Sequence, residues 1–487
     1  MDKKLIFAIA VTIIYAIFTF LGVLHHDVWA DEAQVWQLCK YMSVSELFHH
    51  LHNEGHPAFF YLLVMPFAKI FNNIICMQVI CWFAMCLAVF FLMYKSPFKW
   101  YLNFAIILSA GFIYFFPVIA RSYSILPFLV FAAAYLYTRQ KEHPVLYSLT
   151  LSAIACTHAI MFCFAFVLFC MFFYDNILKK NESERNLKPF IISSIIMLCS
   201  FIYVVWQLHD TTSSNFYIKI AIGDFVLRVC KVFLYFFINA YDNLITIDFR
   251  LLHPLLDITL ILTLFVIYIL LFVNLFKNNK KLFFVAFLSI AFQFAIYIAA
   301  YAAHTYVTRI FSAHIILLFC FWILLEEKTF NSKSKICSEK VTNVLLAIFF
   351  IITSYNGFNY YFMDLNRPYA PAIETFNYLK DTLKENDLIF IDNESFNVSL
   401  IYYLDKNKMA ENVYSVLRGK NVKYVVWDKT SYFMYANEAW KNYIEYILHQ
   451  NEIKNNIYII KAYDKLPENY KRLDEMYPDM FELVYNS

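Results

Sequence analysis

The chain has 487 residues, of which 61% are hydrophobic, 20% aromatic and only 16% charged, and its formal net charge at neutral pH is +3. Soluble domains run nearer to about 45–50% apolar and about 25% charged, so this composition excludes an ordinary globular enzyme. The net charge of +3 is too small to suggest nucleic acid as a partner.

In chain order, the first apolar run is 5–24. Its roughly 20 residues are long enough to cross a bilayer, and no small-residue cleavage site follows, so it reads as an uncleaved helix. Further spans are expected at 74–94, 101–118, 122–137, 145–159, 160–178, 188–207, 254–276, 282–303, 309–325 and 341–361, for a total of about 11. The stretch 145–178 reads as a close helical hairpin or something less regular. The run 56–71 holds Pro57 and Pro66 and is short for a span, so it reads as an interfacial helix. The stretch 225–240, aromatic but broken by Arg228 and Lys231, reads the same way. After residue 361 the composition turns to that of soluble protein, rich in Asn, Lys, Glu and Tyr. Helical residues 372–384 and strand-like segments 387–392, 422–427 and 457–460 predict a small α/β domain over 362–487. The eleven Cys lie mostly inside apolar runs without a CxxC, which argues for small packing residues rather than disulfides or a zinc site. The chain shows no internal repeat and no glycine-rich phosphate loop.

Positive charge sets the expected orientation. Lys3 and Lys4, Lys95 and Lys99, Arg139 and Lys141, Lys179 and Lys180, Lys277 with Lys280 and Lys281, and the lysines of 328–340 fall in alternate loops. Those loops are expected to be cytoplasmic. The N-terminus is then inside, while loops 25–73 and 208–253 and the C-terminal domain lie outside the cytoplasm. The expected location is a bacterial inner membrane.

Charge is otherwise kept out of the apolar runs, so the acidic pair Asp31-Glu32, just beyond the first span and beside Trp29, marks a site for chemistry. With this topology Asp31, Glu32, Glu54, His56, Arg121, His158, His304 and Arg309 all fall at one membrane face. A carboxylate can act as general base towards a hydroxyl, guanidinium groups can bind a phosphate through forked donors, and His can assist or bind a metal. Plainer roles exist for each. Asp31 can be a solvated loop residue, Arg121 can snorkel to headgroups, His158 can be a packing residue, and His304 and Arg309 can cap helices. The set as a whole suits a reaction between a phosphate-bearing lipid and a hydroxyl acceptor.

The segment Trp29-Ala30-Asp31-Glu32-Ala33 after a first helix resembles the Asp-Glu signature of the GT-C membrane glycosyltransferases, in particular the protein O-mannosyltransferase and lipid A aminoarabinose transferase group. Glu54-Gly55-His56-Pro57-Ala58-Phe59-Phe60-Tyr61 resembles a His/Lys-Pro-Pro-Leu-x-Tyr segment of that group, with Ala58 in place of the second Pro. Ala120-Arg121-Ser122-Tyr123 is similar to its Ala-Arg-Pro-Tyr, with Ser122 in the Pro position. Thr157-His158, Thr308-Arg309 and the start of the tail are also similar to later segments of the group.

The resemblance implies a GT-C-like fold and transfer of a monosaccharide from a polyprenyl-phosphate donor to a hydroxyl acceptor at the outer membrane face, with inversion. The acceptor would be a lipid, a glycan or a protein, and nucleic acid would play no part. It implies Asp31 as the base, Glu32 as its support or as an orienter of the acceptor, and Glu54, His56, Tyr123 and His158 as cavity-lining substrate contacts. Arg121, with Arg309, would hold the donor phosphate. A divalent metal on Glu54 and His56 is implied for some members only. Two other readings of the same topology are a lipid-linked glycan polymerase or ligase, and a lipid or glycan transporter without chemistry. A transporter is expected to show repeats, helices interrupted near mid-membrane and charges at the membrane centre, and none of these stands out in the sequence.

Overall fold

The computed structural model describes residues 2–52, 54–178, 187–209, 222–239, 253–299, 307–330, 337–370, 372–384, 387–391, 394, 397–415, 418, 420–427, 457–461 and 481–485. His304 and most of the 208–253 loop lie outside these residues. The helices, in order, are α1 (Lys3–His25), α2 (Ala30–Tyr41), α3 (Val44–His50), α4 (Phe59–Ile70), α5 (Ile75–Lys95), α6 (Trp100–Leu108), α7 (Leu126–Tyr137), α8 (Pro144–Thr157), α9 (Phe162–Phe173), α10 (Lys188–Leu208), α11 (Ile222–Asn239), α12 (His253–Asn278), α13 (Lys280–Ala299), α14 (Val307–Glu326), α15 (Glu339–Asn366), α16 (Ala372–Thr382) and α17 (Val398–Lys406).

Among the described residues eight helical segments are long and apolar enough to cross a membrane, which makes the chain a helical membrane protein. Each of the eleven predicted spans contains helix, but three of the helices fall short of that length. The predicted span 101–118 is corrected: α6 stops at Leu108, Ser109 turns to an extended backbone (ψ 157°), and a π-helical turn runs over Gly111–Phe115. The run 122–137 opens with a 3-10 turn over Ser122–Ile125 before α7 begins. The stretch 145–178 is divided at His158, whose extended backbone separates α8 from the next helical segment. These interruptions have local causes. Pro127 is free to start a helix because its missing N–H would have no intrahelical partner there, and His158 caps the next turn by accepting from the Ile160 N–H at 3.2 Å.

The bundle is organised around α14, of which 94% is buried over its apolar stretch. Helix α15 approaches the π-turn so closely that a Cβ on Gly357 would stand 2.6 Å from the Ala110 Cα. Tyr15 of α1 donates to the Phe112 carbonyl (2.7 Å) and Trp82 of α5 donates to the Ala16 carbonyl (3.1 Å). Helix α4, with Pro66 inside it, is about 18 Å long at 1.5 Å per residue, well short of the hydrocarbon core. Helix α11 packs on the flank of the bundle, with Phe233 against Phe265 and Phe236 against Phe294 and His314.

The tail forms a five-stranded sheet in the order β3 (Lys420–Asn421), β2 (Val413–Ser415), β1 (Leu388–Ile391), β4 (Ile457–Lys461), β5 (Phe481–Tyr485). β1 pairs in parallel with β2 and β4, β4 pairs in parallel with β5, and β3 is antiparallel to β2. The expected strand 422–427 is corrected: the strand ends at Asn421, the Val422 N–H still donates to the Val413 carbonyl (3.2 Å), and side chains take over the backbone beyond Val422. Gln34 of α2 donates to the Val425 carbonyl (2.7 Å) and accepts from its N–H (3.0 Å), Gln37 donates to the Lys423 carbonyl (3.0 Å), and Arg418 donates to the Val426 carbonyl (2.5 Å). The Tyr403 hydroxyl adds to the seam by accepting from the Val28 N–H at 3.0 Å. A single apolar core therefore runs from α2 and α4 into the tail, joining Trp36, Phe60 and Tyr61 to Phe376, Ile389 and Ile401.

Candidate active site

The site forms where α1 ends. His26 closes α1 and is buried between two carboxylates, with Nδ1 2.7 Å from Asp364 Oδ2 and Nε2 2.9 Å from Glu32 Oε2. Burial alone would lower the His26 pKa, but the charge of Glu32, then the hydrogen bonds His26 gives to Asp364 and Glu32, and last the charge of Asp364, raise it to about 10. His26 is therefore an imidazolium at neutral pH. Tyr114 donates to the same Asp364 oxygen (2.9 Å), and the Tyr369 ring packs on the imidazole.

Glu32 is fully buried and has three duties. Its Oε2 accepts from His26 and from the Trp29 N–H (3.0 Å), which caps α2. Its Oε1 accepts from the Ala120 N–H at 2.6 Å. This last bond anchors the backbone immediately before Arg121. Ser124 secures the same turn, accepting from the Arg121 N–H (3.4 Å) and donating to the Ile119 carbonyl (3.1 Å). Glu32 is thus a structural support of the site, with no oxygen turned outward to a substrate.

Asp31, the neighbour of Glu32 in the first turn of α2, is the accessible acid, with a third of its side chain exposed, and it pairs with the Arg121 guanidinium. That guanidinium also lies 5.5 Å from the Trp29 ring centre. Two residues further on, the Tyr123 hydroxyl accepts from Arg309 Nε at 3.1 Å. Arg309 is buried in the first turn of α14, where the helix dipole already favours an anion. The Tyr123 ring stacks 4.5 Å from His158, and His158 lies 4.6 Å from His56. Burial, with the charge of Arg309, pulls the His56 pKa down to about 3, so this imidazole is neutral. His56 Nδ1 and His158 Nε2 are both buried without a hydrogen-bond partner among the described residues, and Arg121 and Arg309 are both within electrostatic reach of His158.

The structure thus brings together Asp31, Arg121, Tyr123, Arg309, His56 and His158 from five parts of the chain, with Glu32 behind them. Glu54 faces elsewhere: it accepts from Gln34 (2.7 Å) and interacts with His50 (3.1 Å). Gly55 between Glu54 and His56 has φ 67°, a left-handed turn that suits glycine and sends its two neighbours to different partners. Glu54 is thus held by Gln34 and His50, and the described residues contain no group of three or more His, Cys, Asp and Glu fit to hold a metal. Sequence reasoning missed Asp364 and the duty of His26. The available signal was Asp364, one of two acids in a 28-residue helix and the one at its far end, beyond a long apolar stretch. Chemically the site offers one reachable carboxylate, two guanidinium groups, a phenol and two neutral imidazoles in a largely buried setting. No family model matches the chain, and no significant similarity links it to a curated protein or to a solved structure.

Proposed function

We propose that this protein is a membrane glycosyltransferase that moves a monosaccharide from a polyprenyl-phosphate donor to a hydroxyl acceptor at the extracytoplasmic face. The observation that carries the reading is the meeting of Arg121, paired with Asp31, and Arg309, bonded to Tyr123, over one short turn. Two guanidinium groups suit a phosphate monoanion or diester, and the adjacent exposed carboxylate suits deprotonation of a hydroxyl.

In this mechanism the acceptor oxygen attacks the anomeric carbon from the face opposite the phosphate. The bond between that carbon and the phosphate oxygen breaks, the hydroxyl proton passes to Asp31, and the charge left on the departing polyprenyl phosphate is met by Arg121 and Arg309. A carboxylate held by a guanidinium is a poor base. Donor phosphate competing for Arg121 would free Asp31, so the base becomes competent once the donor is bound. The N-terminus would be cytoplasmic and the tail outside. His56 and His158, with unpartnered nitrogens, would bond sugar hydroxyls or phosphate oxygens.

The test is incubation of the purified protein with a radiolabelled polyprenyl-phosphate monosaccharide and a panel of lipid, glycan and protein acceptors. Transfer that disappears in Asp31→Asn, while melting temperature is kept, supports the reading. Full transfer by that variant removes Asp31 from the reaction.

A further inference from the structure

At the far end of α2 from Asp31, a second polar cleft of about 550 Å³ opens between the ends of α2 and α4 and the tail domain. Four lysines line it: Lys40, Lys69, Lys408 and Lys423, against two acids, Asp405 and Glu411. Asp405 is already engaged by Lys40 (2.5 Å) and by the Tyr41 hydroxyl. Lys69, Lys408 and Lys423 have no carboxylate within ion-pair distance among the described residues. Lys69 gives one hydrogen bond to the Lys40 carbonyl (2.7 Å) and Lys423 one to the Ala410 carbonyl (3.2 Å), and an ammonium has three donors. Two lysines, Lys40 and Lys69, sit in the last turns of their helices, where a cation is favoured by the dipole alone. Lys408 and Lys423 have no such reason to face the same space. Lys408 moreover holds a left-handed backbone, φ 59°, where glycine would fit without strain.

The cleft also has a greasy lip. Ile70 and Phe71 line it, 74% and 49% exposed, at the end of an apolar helix too short to cross the membrane. Apolar side chains beside a cationic hollow are the arrangement that holds a molecule with an acyl part and an anionic head. Nine residues of helix separate Lys40 from Asp31, about 14 Å by helical rise, so an occupant of the cleft would not obstruct the site.

We propose that this cleft binds the phosphate of an anionic lipid headgroup in the adjoining leaflet, with Ile70 and Phe71 against its acyl chains. The full chain, purified in detergent, is titrated by calorimetry with dihexanoyl phosphatidylglycerol, with dihexanoyl phosphatidylcholine, and with inorganic phosphate. The expected result is saturable binding of phosphatidylglycerol that weakens at least tenfold in Lys69→Gln/Lys408→Gln and on raising salt from 0.05 to 0.5 M. Phosphatidylcholine should bind at least tenfold more weakly. Ile70→Ser/Phe71→Ser should weaken the lipid and leave inorganic phosphate unchanged. Equal binding of the two lipids, or an unchanged lysine variant, overturns the proposal; inorganic phosphate binding as tightly as phosphatidylglycerol overturns its lipid part. Should the double lysine variant melt early, Lys423→Gln and the salt series decide the same question. None of these readouts uses sugar transfer, so the outcome is independent of the function proposed above.

Discussion

Replacing His26 by Gln removes the cation that separates two buried carboxylates. In the fold His26 keeps its proton to about pH 10, against an ordinary 6.5. At 1.36 kcal/mol per unit that difference is worth roughly 5 kcal/mol, close to the approximately 3–5 kcal/mol expected when one partner of a buried pair is removed. Because the folded pKa is the higher one, the stabilisation is complete below about pH 6.5 and declines by about 1.4 kcal/mol per unit as pH rises, until it is spent near pH 10. The assay is the melting temperature, followed by Trp fluorescence in detergent, from pH 6 to pH 10 for the wild type and His26→Gln. The gap between them should be widest at pH 6 and almost closed at pH 10. Asp364→Asn should reproduce part of the loss, and the double variant should lose less than the sum. A gap that stays constant across this range, or no gap, would refute the assignment of an imidazolium.

Three more outcomes are expected. Arg121→Lys should lose roughly 10- to 100-fold in transfer efficiency, because a Lys cannot make two parallel bonds to a phosphate; steady-state kinetics with a defined donor that show an unchanged rate would leave Arg121 as an anchor only. Gly357→Ala should destabilise the bundle by about 1–3 kcal/mol, since its Cβ would press on the Ala110 backbone at 2.6 Å, while Ser354→Ala on the exposed face of α15 should melt like the wild type. A reporter enzyme fused after residue 370 should be active only outside the cytoplasm; cytoplasmic activity would reverse the proposed orientation.

The helical spans were legible because long apolar runs leave a chain few other options. The break at Ser109 was not, since nothing in the sequence 101–118 is charged and the interruption arises where α15 and α14 press on the turn. Asp31, Arg121, Tyr123 and His158 could be singled out because polar groups are rare in such a chain. Their grouping with Arg309 needed tertiary contacts across 186 residues. Glu32 looked like a partner in chemistry beside Asp31. Its role as anchor of Ala120 depends on a turn 88 residues away, and the Asp364 contact lies 338 residues from His26. The stretch 422–427 has strand-like composition, but beyond Val422 the groups that meet its backbone are side chains: the amides of Gln34 and Gln37 from helix α2, and Arg418.

The bond between Gln34 and Val425 also sets a clock. These residues are 391 apart, so at about 5–20 residues per second a ribosome needs roughly 20–80 s to pass from one to the other. Through that interval helix α2, which bears Asp31, exists without the wall it leans on. Every nascent chain therefore carries α2 long before Val425 exists, and a stop codon between the two would leave that helix without its partner backbone.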